Sequence, residues 1–227
     1  MTVQQLMQKF ARWHIWVGWA VALPLLMWSL TGLIMVARPL TEVRGDALRA
    51  KAPSTDAVAL VFPKLTGRIE GMDLVQQPDG PAWIVTEQGG GRYRYSAKDG
   101  SIVPPVIEVE ARRIAEAAYA GDGRIAAVKY IPSDEAPVDL RRSVNSWQAS
   151  FTDGTRIYID DSTGEVLALR TRYWRFYDFL YGLHVMDPKG HENAHNPFIV
   201  VFAAVTLVGA SLGSVLLFRR RKARPKG

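Results

Sequence analysis

"RWHIWVGWAVALPLLMWSLTG", residues 12–32, sets a histidine and four tryptophans into the head of an apolar run. Residues 15–37 carry no charge. That is long enough for a helix to cross a hydrocarbon layer of about 30 Å, which takes roughly 20 apolar residues. A second such run covers residues 197–218. The first is followed by Arg38 and Pro39 without a small-residue cleavage site, which fits an uncleaved anchor better than a signal peptide. Pro24 is expected to kink it, because its ring removes a hydrogen bond to the Ala20 carbonyl.

Charge orients the two spans. All 22 acidic residues lie between Glu42 and Glu192, while Lys9, Arg12 and the tail "RRRKARPKG" form undiluted positive flanks. The positive-inside rule then predicts cytoplasmic termini and an extracytoplasmic segment 38–196. Eight of the 28 Lys and Arg lie in those flanks, so the net +6 is mostly a topology signal. The connecting segment is close to neutral and offers no nucleic-acid surface. With no cysteine in the chain, it has neither disulfides nor thiolate metal ligands.

That segment repeats itself. Shifted by 64 positions, Trp83 falls on Trp147, Gly90 on Gly154, Arg92 on Arg156 and Gly100 on Gly164. Each copy alternates polar and apolar residues ("PAWIVTE", "NSWQASF"), turns at glycine into a second run ("RYRYSA", "TRIYID"), and turns again at "KDG" or "STG", the chemistry of antiparallel hairpins. Before the second copy, "EVEARRIAEAAYAGDG" predicts a helix with Ile114, Ala117, Ala118 and Tyr119 on its buried face and a glycine stop. "STDAVALVFPKL" (54–65) predicts a shorter counterpart in the first. The fold class expected is α+β: two tandem modules, each a helix on an antiparallel sheet, between two transmembrane helices.

The second module, with its helix, "RIAAVKYI" and "YIDDSTGEVL", resembles a PepSY domain, and the first is a looser copy. The flanking spans, with "RWHIWVGW...SLTGL" entering and "LYGLHVMD...NPF" leading out, resemble the PepSY-associated transmembrane helix family of bacterial inner-membrane proteins. The resemblance implies periplasmic PepSY modules. In the family's larger four-span siderophore reductases it implies heme b held by histidines near both membrane faces; this chain departs from them in having two spans. The organisation expected is a cytoplasmic N-terminus and first span (1–37), module 1 (38–105), module 2 (106–170), an interfacial helix and loop (171–196), the second span (197–218) and a basic cytoplasmic tail (219–227).

Four histidines need weighing. His14, just inside Arg12, is either an axial heme ligand or a member of the aromatic belt of Trp13, Trp16 and Trp19; the family resemblance favours the ligand. Gly18, one turn deeper, would let a macrocycle or helix approach. His184 ends a stripe with Trp174, Tyr177 and Tyr181 at helical spacing, which reads as an interfacial anchor; the family's "LH" pattern makes His184 a ligand, with Gly182 giving room. "HENAH" (191–195) matches the HExxH of zinc peptidases. Gly190 and Asn196-Pro197 bracket it too tightly for a long helix, and no acidic residue follows Glu192, so His191 reads as a loop residue and His195 as a reserve heme ligand. Gly209 and Gly213 form a close-packing ridge whose partner is either the same span of a second copy or the first span of this chain. Asp153-Gly154 and "DDSTG" read as turns rather than calcium loops.

His14 and His184 stand at opposite membrane faces, about 30 Å apart, so one iron cannot take both. The leading expectation is an inner-membrane heme b protein of transmembrane electron transfer, linked to reduction of ferric chelates, acting as a homodimer or with a partner membrane protein. The heme is its one metal site, and its enzymatic role is at most that of an oxidoreductase component. The alternative is a cofactor-free, membrane-tethered PepSY module that regulates a protease or another envelope protein.

Overall fold

The computed structural model describes residues 3–51 and 60–222. In chain order the elements are α1 (Val3–Val36), α2 (Leu40–Arg44), β1 (Ile69–Gln77), β2 (Gly80–Glu87), β3 (Arg92–Ser96), β4 (Ile102–Val103), α3 (Glu108–Ala118), β5 (Ile125–Ile131), β6 (Ser146–Phe151), β7 (Arg156–Asp160), β8 (Val166–Arg170), α4 (Arg172–His184) and α5 (Pro197–Lys222). They divide into a helical unit, Met1–Arg38 with Tyr177–Gly227, and a sheet unit, Pro39–Phe176.

In the helical unit α1 and α5 are apolar all round, with mean hydropathies of 1.9 and 2.3 over their best windows, and little of either window is buried. Trp19, Leu23 and Phe198 each leave more than 70% of their surface open. In a polyhelical soluble protein such faces would be core; here lipid has to cover them. Pro24 sits within α1, which runs through it as one helix. At the other end of the unit Asn196 closes the turn into α5. Its Oδ1 accepts the Ile199 N–H at 3.1 Å, and its Nδ2 donates to the carbonyls of Val185 and Asn193. This is an N-cap with proline in the first helical position, where a missing N–H costs nothing. The loop before it winds on Asp187, whose carboxylate accepts the N–H groups of Asn193, Gly190 and Glu192 and is held down to about 2 by them.

The sheet unit contains two antiparallel four-stranded meanders, β1-β2-β3-β4 and β5-β6-β7-β8. The 64-residue repeat holds down to single pairs: Trp83 faces Tyr95 across β2–β3 as Trp147 faces Ile159 across β6–β7. The turn glycines repeat their backbone as well, Gly90 at φ 87° and Gly154 at 86°, Gly100 at 75° and Gly164 at 71°. A positive φ there is cheap only for glycine. Each tryptophan donates its indole N–H, at 2.8 Å, to a carbonyl of the chain that precedes its sheet, Val61 for Trp83 and Val106 for Trp147.

The covers of the two sheets differ. α3 lays Ala111, Ile114 and Ala115 on Ala149, Phe151, Ile157, Ile159 and Leu169. Of the expected face, Ile114 is buried and Ala118 and Tyr119 pack against the same cluster, while Ala117 is exposed and Ala111 and Ala115 complete the face instead. The helix also ends without glycine: Tyr119 is extended and pairs with Arg49. An isolated bridge to Arg49, not a left-handed cap, stops it. In the first module the expected helix over 54–65 is corrected in part: residues 54–59 lie outside the described residues, and 60–65 are not helical. Val61 donates its N–H to Ala97 at 2.9 Å, and the residue before Pro63 is biased to extended backbone.

Candidate functional site

The helical unit fixes His14 and His184 by one device at its two ends. The imidazole of His14 crosses from α1 to α5, with Nδ1 3.0 Å from the Gly209 carbonyl oxygen. A carbonyl only accepts, so Nδ1 carries the proton, and in the neutral ring Nε2 keeps a lone pair. The ring lies on Gly213, where a Cβ would stand 2.8 Å from Cε1. Gly209 is filled in the same way by Val17, whose Cγ1 a Cβ would meet at 2.9 Å. The glycine ridge thus receives α1 of its own chain. Gly18 has nothing within 4 Å of a Cβ position and faces open space.

At the other end His184 packs on the last turns of α1. Nδ1 lies 3.0 Å from Thr31 Oγ1 and 3.2 Å from the Trp28 carbonyl oxygen, and the ring stacks on the Trp28 indole, centroids 4.8 Å apart and planes 16° off parallel. Thr31 is buried and within reach of the Met27 carbonyl at 2.9 Å. With the hydroxyl donating to Met27, the set is satisfied when Nδ1–H donates to Trp28 and Thr31, which again leaves the Nε2 lone pair. Gly32 makes the seat, since a Cβ there would come 3.1 Å from His184 Cε1. Gly182, expected to give His184 room, packs against His191 instead, because consecutive turns of α4 point it toward the loop.

His191 and His195 are placed differently. His191 stands at φ 56° outside any helix, with Nδ1 2.7 Å from an Asp178 carboxylate oxygen and Nε2 3.1 Å from the Pro188 carbonyl. Both nitrogens face acceptors, so no lone pair is offered outward. Residues 191–195 are bends and turns, which denies "HENAH" the one-turn spacing that a zinc peptidase needs. His195 is exposed. Among the described residues no three His, Asp or Glu side chains group as a metal site.

Sequence reasoning missed Thr31 and Gly32. Their signal, a small polar pair near the end of the first span, was present in "SLTGL" but had no partner until α4 was placed. It also missed the half-buried, inward side of the aromatic stripe: the outward apolar residues of α4 are Phe176 and Phe179, not the stripe of Trp174, Tyr177 and Tyr181.

A family model described as the PepSY-associated TM region matches residues 11–227, taking in both long helices and both sheets. The chain belongs to that family. No curated protein and no solved structure matches it. As a PepSY-associated TM protein it is a membrane protein, and its two candidate spans, Gln4–Val36 and Pro197–Phe218, are the helices that carry His14, Thr31 and the glycine ridge.

Proposed function

We propose that this PepSY-associated TM protein binds heme b in the bacterial inner membrane and serves one-electron transfer across it, with both termini cytoplasmic and the two sheets periplasmic. The observation that carries the reading is the matched locking of His14 and His184: Nδ1 engaged, Nε2 free, the ring seated on glycine. Ligating imidazoles characteristically give their other N–H to a carbonyl or similar acceptor, which fixes both tautomer and orientation. His191 fails the same criterion on both nitrogens.

The residues fit the group singly. Thr31 follows His14 by seventeen positions, about 26 Å along a helix, so each end offers one ligand. A second chain, a copy of this one or a partner membrane protein, would supply the other ligand at each end. The glycine ridge is engaged within the chain, so a second copy would meet it through other faces of α1 or α5. Heme iron would supply the redox change; the residues described here would hold a nitrogen lone pair in place for it.

The test is the visible spectrum of the full-length protein, extracted in detergent from heme-replete cells, before and after dithionite. A Soret band that shifts on reduction is expected. His14→Ala and His184→Ala should each lose about half of the heme, and His191→Ala none. A colourless wild-type protein would overturn the reading in favour of a cofactor-free binding module. For that alternative the sheet unit offers a groove of about 400 Å³ lined by Val75, Ile114, Val166 and Leu169.

A further inference from the structure

Strands β7 and β8 carry a charge arrangement that pairing alone disfavours. Arg156 stands directly opposite Arg170 across the ladder, and like charges so placed weaken a sheet. Both project from the face away from α3, the face of Tyr158. The first turn of α4 adds two more arginines. Arg175 donates to the carbonyls of Gly154, at 2.7 Å, and Arg170, at 3.2 Å. The Arg172 guanidinium lies over Gly154, where a Cβ would stand 3.0 Å from Nε. The carboxylate brought to this group is Asp139, which already takes the Tyr158 hydroxyl at 2.8 Å and Arg156 at 3.4 Å. Arg172, which is exposed, forms no hydrogen bond or ion pair among the described residues. Burial first, then the charges of Arg156 and Arg172, push Arg175 below the ordinary arginine value.

The same helix supplies the second observation. Arg172 and Phe176 stand four residues apart along α4, hence on one face. Phe176 is 48% exposed. A face that begins in arginine and continues in phenylalanine matches the layering of a membrane surface, phosphates above and acyl chains below. Guanidinium groups suit phosphate oxygens because their N–H fork binds them two at a time.

We propose that Arg172, at the start of α4 and beside the Arg156, Arg170 and Arg175 cluster, binds the phosphodiester headgroup of an anionic phospholipid, with Phe176 one turn further along the helix entering the apolar layer beneath. The site involves neither His14 nor His184, so it stands or falls separately from heme binding.

The experiment is native mass spectrometry of the full-length, delipidated protein in a neutral detergent, titrated with dioleoyl phosphatidylglycerol, dioleoyl phosphatidylcholine or inorganic phosphate. Retained phosphatidylglycerol adducts are expected, with phosphatidylcholine binding several-fold weaker and inorganic phosphate not competing. Arg172→Gln should weaken phosphatidylglycerol binding about fivefold, the usual effect of one basic charge at an anionic surface. Arg172→Lys should restore most of it, and Arg113→Gln, which removes a charge paired with Asp79, should change nothing. Phe176→Ala should weaken lipid binding with the arginines intact. Equal binding of both lipids, competition by phosphate alone, or undiminished binding in Arg172→Gln would each overturn the proposal.

Discussion

The two sheets are copies in register and opposites in what they bury at one equivalent position. Arg94 on β3 and Tyr158 on β7 are 64 residues apart, both within the central pairs of their ladders and both almost wholly buried. Arg94 reaches out of its module. Its guanidinium donates to both carboxylate oxygens of Glu110 on α3, at 2.6 and 3.2 Å, and to Gln77 and the Pro104 carbonyl, each at 3.0 Å. Nearby, Arg92 pairs with Glu165, and Gln77 donates to the Thr163 carbonyl at 2.7 Å. Tyr158 stays at home, giving its hydroxyl to Asp139 in the loop between β5 and β6. At this position the first module is completed by its neighbour, whereas the second is completed by its own loop. A repeated scaffold can thus hold one position constant in burial while reversing whether it joins modules or closes one.

Two experiments separate the role of Arg94 from that of Tyr158, and a third compares the turns at Gly90 and Gly154. The largest effect is expected from Arg94→Met, which leaves Glu110 partly buried without its partner; loss of one member of such a pair typically costs about 3 kcal/mol or more. Amide exchange on the full-length protein should show protection falling in both sheets. Arg94→Met with Glu110→Met should recover much of it, because an apolar pair needs no partner. If protection falls in the first sheet alone, the pair does not join the modules.

Tyr158→Phe should cost less, about 1–2 kcal/mol, since Asp139 keeps Arg156 while losing a buried hydroxyl donor. The loss should be confined to exchange in β5–β8. Spread into β1–β4 would contradict Tyr158 acting within the second module.

The smallest effect is a pH dependence. Burial raises the Asp153 carboxyl, but the Thr155 N–H and the hydroxyls of Tyr119 and Thr155 outweigh it and set it below its ordinary 3.8. A depressed carboxylate stabilises the fold above that ordinary value, and the contribution fades as pH falls through the lower folded value. The position 64 residues earlier is Gly89, with nothing to titrate. Below about pH 4 the turn at Gly154 should lose exchange protection before the turn at Gly90, a difference readable in the same exchange data. Equal loss at both turns would remove Asp153 as the cause.

How much of this the sequence carried depends on whether a signal is local. The tryptophans and turn glycines were legible because hairpin chemistry sits in short windows, and an ungapped shift preserved it. The relation of β1 to β5 was not, because those strands are offset by 56 rather than 64: Gly71 and Ala127 occupy the same place after a repeated bulge. An ungapped comparison cannot see across the eight-residue difference. The glycine ridge was legible as a packing surface, but not as the seat of His14, because an apolar helix gives no periodic sign of which side meets its neighbour. Thr31 and Gly32 were hidden for the same reason. Most of the α3 face was legible, Ala117 excepted, but its end was not: Gly121 resembles a stop, whereas pairing of Tyr119 with Arg49, seventy residues away, decides where the helix ends.

The longer connection between β5 and β6 constrains substitution. It brings Asp139 beneath Tyr158, whereas β1 and β2 are joined by Pro78 and Asp79 alone. Neither feature is free to change alone: trimming the loop strands the buried Tyr158 hydroxyl, and removing that hydroxyl takes a donor from the buried Asp139 carboxylate. The loop and the tyrosine are therefore coupled sites, and a substitution at one is expected to be tolerated best with a matching change at the other.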